Sequence, residues 1–208
     1  MNYGLPYMGS KSNIAEWVVE QLPRAAHFYD LFAGGCAVTH AAMAAGRYTN
    51  YHINDITESV QLFAAAVRGD YRDEKRWLER LQSLERLQSA TAFDRLTITQ
   101  GDYQAVEIKP DSVIYCDPPY RGTTGYLCEF DHDRFYEWAE RQENIFISEY
   151  SMPSEFKCVA EHAHRSRLSP TANNSVVERL FVPVRHKYYT YTQLSLFERK
   201  KNISLKKM

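Results

Sequence analysis

A chain of 208 residues, 44% apolar and 25% charged, has the length and composition of one globular domain that buries roughly 70% of its unfolded surface. No run of 18 apolar residues occurs, and the opening MNYGLPYMGSK lacks a signal peptide's apolar stretch, so a membrane-spanning helix is excluded and a cytoplasmic location is expected. Four cysteines (Cys36, Cys116, Cys128 and Cys158) show no C-x-x-C pairing, which argues against a zinc ribbon or a disulfide framework and for reduced thiols. The near-neutral total hides an asymmetry: residues 164–208 carry ten Lys/Arg against Glu178 and Glu198, a net +8 that leaves −9 for residues 1–163. Such a basic end suits a polyanion, although a solvated tail explains residues 198–208 equally well.

Asn13 with Glu16 has capping-box spacing, and Ile14, Trp17, Val18 and Leu22 repeat at helical period up to Pro23. His27–Phe32 reads as a strand broken by Gly34-Gly35, and Cys36–Ala45 as a small-residue helix stopped by Gly46. Tyr51–Asn54 is a second strand, with Thr57 as the expected N-cap of the first of two helices, near 58–68 and 74–89. Short strands follow at Leu96–Thr99 and Ser112–Cys116, and Asp131 is expected to cap a helix carrying Phe135, Trp138 and Ala139. Asn144–Ser148 is a further strand. Phe156–Leu168 and Glu178–Val184 then read as strands around the polar stretch SPTANNS. Alternating strands and helices predict an α/β fold with a mostly parallel sheet, and the last two strands, with no crossover helix between them, a C-terminal antiparallel pair.

Two stretches carry chemistry. In Asp30-Leu31-Phe32-Ala33-Gly34-Gly35 a strand turns into a helix through glycines, where a ligand can approach bare backbone and the helix N-terminus. Asp55 ends the next strand, a place suited to ribose hydroxyls, while the acidic Asp30 at the turn disfavours phosphate and suits a cationic group. The absence of G-x-G-x-x-G argues against a pyrophosphate dinucleotide. The second stretch, Asp117-Pro118-Pro119-Tyr120, follows the strand Ser112–Cys116. Two prolines make a rigid corner presenting a carboxylate, free carbonyl oxygens and an aromatic face. An exocyclic amine on a flat ring needs that set: two acceptors for its hydrogens and a ring to stack on.

In this order the residues resemble the Dam-type (D12 class) DNA adenine N6-methyltransferases of bacteria and phages, over almost the whole chain. Tyr7-Met8-Gly9-Ser10-Lys11 is similar to the family's Y-x-G-[GS]-K, Asp30–Gly35 to its F-x-G-G loop, and Gly101-Asp102-Tyr103 to its D-[FY] motif. Asp117–Tyr120 matches D-P-P-Y, and Glu178-Arg179-Leu180 resembles the E-x-L strand near the C-terminus. The resemblance implies a Rossmann-like methyltransferase fold, S-adenosylmethionine as methyl donor, and adenine flipped out of DNA as acceptor. It further implies that Asp117 and the Pro118 carbonyl accept from the amine beside Pro119 and that Tyr120 stacks on the base. Tyr7, Gly9, Ser10 and Lys11 would lie at the methionine end and base pocket. Asp30, Phe32 and Gly34 would cradle the amino-acid and ribose portions, Asp55 the ribose hydroxyls, and Asp102 with Tyr103 the cofactor's adenine.

Some features depart from the family. Cys36 stands where its loop often has a third glycine, a small replacement expected to cost little. About 46 residues separate Asp55 from Asp102, the interval that carries target recognition in the family; here it reads as a small helical insertion, 57–98, within a single domain, 1–208. DNA contact is therefore expected from the loop Arg121–Glu129 and from Arg165, Arg167, Arg179 and Arg185. Cys158, His162 and His164 would share one strand face but lack a fourth ligand, so no metal is expected. A monomer or weak homodimer of bacterial or phage type is the expectation, with restriction protection, competition with host defence and gene regulation equally compatible purposes. The same amine geometry also serves cytosine N4 or an RNA base, and a DNA-binding protein that has lost turnover is the remaining alternative.

Overall fold

The computed structural model describes residues 3–5, 9–68, 93–121, 130–165 and 175–185. Tyr7, the predicted helix at 74–89, Arg167, most of the loop 121–129 and nearly all of SPTANNS lie outside the described residues. Among the described residues no helix is long and apolar enough to cross a membrane.

Two compact units divide between Asp117 and Pro118. The first contains four parallel strands: β1 (His27–Asp30), β2 (Asn50–Asp55), β3 (Leu96–Gln100) and β4 (Ser112–Cys116), in the order β3-β2-β1-β4. Phe28, Ile53, Val113 and Ile114 are wholly buried, as expected for a parallel sheet covered on both faces. Helices α1 (Ala15–Gln21), α2 (Ala37–Ala45) and α3 (Ser59–Arg68) alternate with the strands. Small side chains let α2 bury every residue from Ala37 to Met43, so this helix presents no solvent face along that stretch.

The second unit contains α4 (His132–Glu140) and three strands, β5 (Ile145–Glu149), β6 (Phe156–Arg165) and β7 (Ser175–Pro183). Here β7 lies between β5 and β6 and runs antiparallel to both. Asp131 caps α4 as its sequence predicts, its carboxylate accepting from Arg134 N at 2.9 Å. This is a Rossmann-like α/β fold, mostly parallel, with antiparallel strands at its C-terminal end.

Three local expectations are corrected. The capping box at Asn13 does not form: Ile14 is the N-cap of α1 with no side-chain bond, and Glu16 instead accepts the hydroxyl of Tyr3. Thr57 turns back from α3 to Asp55, donating both its N–H and its hydroxyl to Oδ1 (2.8 and 2.7 Å). In β6 a bulge between Cys158 and Ala160 resets the alternation, so Cys158 pairs with Phe181 while His162 pairs with Glu178 on the opposite face. The predicted shared face of cysteine and histidines is thereby lost.

An N-terminal segment lies directly on the glycine turn. Leu5 N donates to Gly35 O (2.6 Å) and Gly4 N to His40 Nδ1 (3.0 Å). Gly4 has φ +66°, and a Cβ there would meet the Gly35 carbonyl and, at 2.6 Å, the Ala37 nitrogen. Both are backbone atoms that cannot swing aside. Gly4→Ala is therefore expected to destabilise the protein by about 2–4 kcal/mol, combining left-handed strain and overpacking, read as a lowered denaturant midpoint. An unchanged midpoint would show that this segment does not bear on the turn.

Candidate active site

Parallel strands deliver their C-terminal ends to one edge of the sheet, where open α/β sheets bind ligands. In the first unit that edge carries Asp30 at the end of β1, Asp55 at the end of β2 and Asp117 just after β4. Asp55 holds the glycine turn itself, its Oδ2 accepting from Gly34 N at 2.8 Å. Its other oxygen is the one that takes Thr57, so the carboxylate orders the chain on both sides of it. Gly34 adopts φ +47° and Cys36, the N-cap of α2, φ +57°. Cysteine in that left-handed conformation bears strain of roughly 1–2 kcal/mol, so the expectation that replacing the family's third glycine costs little is corrected.

Asp30 is 1% exposed. Its Oδ2 accepts the Thr39 hydroxyl from α2 at 2.7 Å, but Oδ1 has no hydrogen-bond partner among the described residues. Burial raises its pKa from 3.8 to about 7, opposed by the Thr39 bond and reinforced by the charges of Asp117 and Asp55. A buried carboxylate with an orphaned oxygen, flanked by two more acids, is a poor structural device and a good receptor for a cation.

Lys11 supplies a compensating charge, its Nζ lying 3.1 Å from Asp117 Oδ1, with both side chains largely buried. Gly9 and Ser10 precede it, Gly9 at φ +77° and the Ser10 hydroxyl accepting from Ser12 N at 3.3 Å. Phe32 and Tyr103 place their rings 5.1 Å apart, an aromatic wall fit for a planar group. Asp102 sits beside it and caps the short turn Tyr103–Ala105 by accepting from Gln104 N. Asn54 went unnoticed in the sequence except as a neighbour of Asp55; its Nδ2 donates to Leu31 O and Gly101 O, tying the ends of β1 and β3 to β2.

The corner that begins at Asp117 continues in the second unit. Pro118 and Tyr120 are buried and Pro119 is half-buried. His132 Nε2 donates to the Pro119 carbonyl at 2.8 Å, and the Tyr120 hydroxyl donates to Glu178 of β7. Cys116 is fully buried, and burial pushes its thiol well above the ordinary range, so it is a strand residue and no nucleophile. Of the predicted arginines, Arg121 pairs with Asp133 (3.5 Å), Arg185 with Glu140 (3.4 Å), and Arg179 with Glu161 (2.7 Å) and the Tyr150 carbonyl. Arg165 closes β6.

The family model of the D12 class N6 adenine-specific DNA methyltransferases matches residues 7–86 and 67–181. Comparison with curated proteins gives no match. Among solved structures, the 23S rRNA methyltransferase ErmE is 12% identical, with 84% of this chain and 69% of that one covered and a TM-score of 0.46. For the Bacillus subtilis M1A22 tRNA methyltransferase TrmK the values are 11%, 81%, 64% and 0.46. An uncharacterised protein from Listeria monocytogenes serotype 4b gives 12%, 85%, 69% and 0.49.

The acid cluster makes a prediction about stability. Because Asp30 holds its proton to a higher pH when folded than when unfolded, stability falls as pH rises from about 4 to about 7. The loss from this group is on the order of 3 kcal/mol. Asp30→Asn keeps an acceptor for Thr39 without the charge, so denaturant melts at pH 5 and pH 8 should diverge less than those of the parent. Parallel pH dependences in the two proteins would contradict the assignment.

Proposed function

The chain belongs to the D12 class N6 adenine-specific DNA methyltransferase family, and on that premise we propose that its target is the exocyclic N6 amino group of adenine in DNA. It is a methyltransferase, and S-adenosylmethionine is its methyl donor. The observation that carries the proposal is Asp117, which opens the Asp-Pro-Pro-Tyr sequence after β4, on the same strand ends as the buried acids Asp30 and Asp55.

The residues present fit the donor. Asp30, with its unpartnered oxygen, suits the cationic amino-acid end, together with Phe32 and Gly34. Asp55 Oδ2 carries one bond and retains acceptor capacity for a ribose hydroxyl. Tyr103 and Asp102 suit the adenine portion, and Tyr7, Gly9, Ser10 and Lys11 the methionine portion. When bound, the donor would supply a methyl group on a sulfonium: the amine lone pair would form the new N–C bond, the C–S pair would return to sulfur, and the surplus amine proton would pass to solvent.

The chain's own work is then positioning. Asp117 and the Pro118 carbonyl accept the two amine hydrogens, which aims the nitrogen lone pair and spreads the positive charge that grows on nitrogen. Lys11 balances the Asp117 charge until the base arrives. Tyr120 stacks on the extruded ring, offsetting the few kcal/mol lost on unstacking. Arg121, Arg179, Arg185 and, from the sequence, Arg165 and Arg167 face the DNA phosphates. Exposed ion pairs such as Arg121–Asp133 are weak, so exchanging a carboxylate for a phosphate costs little.

Incubation with duplex DNA and labelled methyl donor tests the reading. Label in N6-methyladenine is expected; label in cytosine or only in RNA would move the acceptor, and binding without transfer would leave a DNA-binding protein. Asp117→Ala should lower kcat by about 10²–10³-fold with cofactor affinity unchanged. Asp55→Ala should instead raise the cofactor Kd about tenfold or more, through the lost charge-assisted hydrogen bond. Swapped phenotypes would exchange the two roles.

A further inference from the structure

Stacking alone needs only a ring, and phenylalanine would provide one. Tyr120 nevertheless spends its hydroxyl on a buried partner: it donates to Glu178 Oε1, 58 residues away in β7, with the tyrosine 8% and the glutamate 2% exposed. Burying a glutamate is unfavourable unless its oxygens are bonded, so this pairing is a specific feature of the interior and not a surface accident. A second buried glutamate acts on the same corner. Glu149, the last residue of β5 and 2% exposed, accepts from Arg121 N (2.8 Å) through Oε1 and from Tyr150 N (3.0 Å) through Oε2.

Three consecutive residues are thus each held by a different element. The Pro119 carbonyl takes His132 of α4, the Tyr120 hydroxyl reaches β7, and the Arg121 N–H is bound by the end of β5. The Tyr150 ring, 43% exposed, stands edge-on to Tyr120 at 4.6 Å and 79°. Backbone bonds on both sides fix where Tyr120 leaves the chain, and the ring beyond it is buried. The bond to the hydroxyl acts at the far end of the ring, where it bears most directly on the tilt.

We propose that Glu178 is a positioning residue: through the Tyr120 hydroxyl it sets the plane on which the extruded base stacks. The inference rests on the reading of Tyr120 as the stacking residue. In this role Glu178 meets neither base nor cofactor and acts through its bond to the tyrosine hydroxyl. A tilted ring misplaces the amine relative to Asp117, and a misplacement of about 1 Å costs on the order of 100-fold in rate.

The test measures kcat, KM for DNA and cofactor Kd for the parent, Tyr120→Phe, Glu178→Ala, Glu178→Gln and the Tyr120→Phe/Glu178→Ala double variant. Tyr120→Phe and Glu178→Ala should each lower kcat about 10- to 100-fold while cofactor Kd stays at the parental value. Glu178→Gln retains an acceptor and should restore most of the rate. The double variant should be no slower than the worse single variant, because both remove one bond. If Glu178→Ala fails to fold, Tyr120→Phe and Glu178→Gln still decide the matter. Parental kcat in Tyr120→Phe, or losses that multiply in the double variant, would overturn the proposal. An active parent with an unaffected Tyr120→Phe defeats this inference alone, whereas a parent that methylates no nucleic acid defeats the proposed function as well.

Discussion

Negative charge held out of water at the strand ends of the first unit governs the rest of the site. Asp30, Asp55 and Asp117 arrive there because β1, β2 and β4 are parallel and in register, so their C-terminal residues come out side by side. Among the described residues, Asp117 is the one of the three with a cation against it, the Lys11 ammonium. Asp55 is satisfied by the backbone it organises. Asp30 is left with one bonded and one unbonded oxygen, deep enough that its carboxyl titrates near neutrality. Natural chains retain such frustration where a ligand relieves it. In the proposed function, a donor that carries positive charge at both its sulfur and its amino group would do so without a protein cation being installed there.

The second unit follows the opposite rule. Glu149 and Glu178 are as deeply buried as Asp30, yet Glu149 has a backbone N–H on each oxygen and Glu178 takes a tyrosine hydroxyl. Burial still raises the Glu149 carboxyl, held back by its bonds from Arg121 and Tyr150. A satisfied buried carboxylate makes the surrounding chain rigid, and here that chain is the segment after the paired prolines. The same chemical group therefore serves in one place as a receptor and in the other as a clamp.

Much of this could be read from the residues in order. β4 is a short apolar run, the acids close or follow β1, β2 and β4, and Asp117-Pro118-Pro119-Tyr120 announces its own rigidity. Asp131 was legible as a cap because its partner is only three residues away. What escaped depends on contacts across tens of residues. Glu16 has good capping-box spacing, but Tyr3 claims its carboxylate. The bulge in β6 that moves Cys158 to the other face leaves no mark in the local pattern. The strain at Cys36 appears only once φ is known, and Glu149 and Asn54 look like ordinary strand residues until their partners are seen. Glu178 was legible as part of a motif, though its bond to Tyr120 was not.

Calorimetric titration of S-adenosylmethionine at pH 7, repeated in buffers of different ionisation enthalpy, counts the protons exchanged on binding. With the Asp30 carboxyl titrating at about 7, the parent should release about half a proton more per cofactor than Asp30→Asn. Equal proton exchange in the two proteins would mean that the buried acid is not the group the cation neutralises, and the account would fail at its centre.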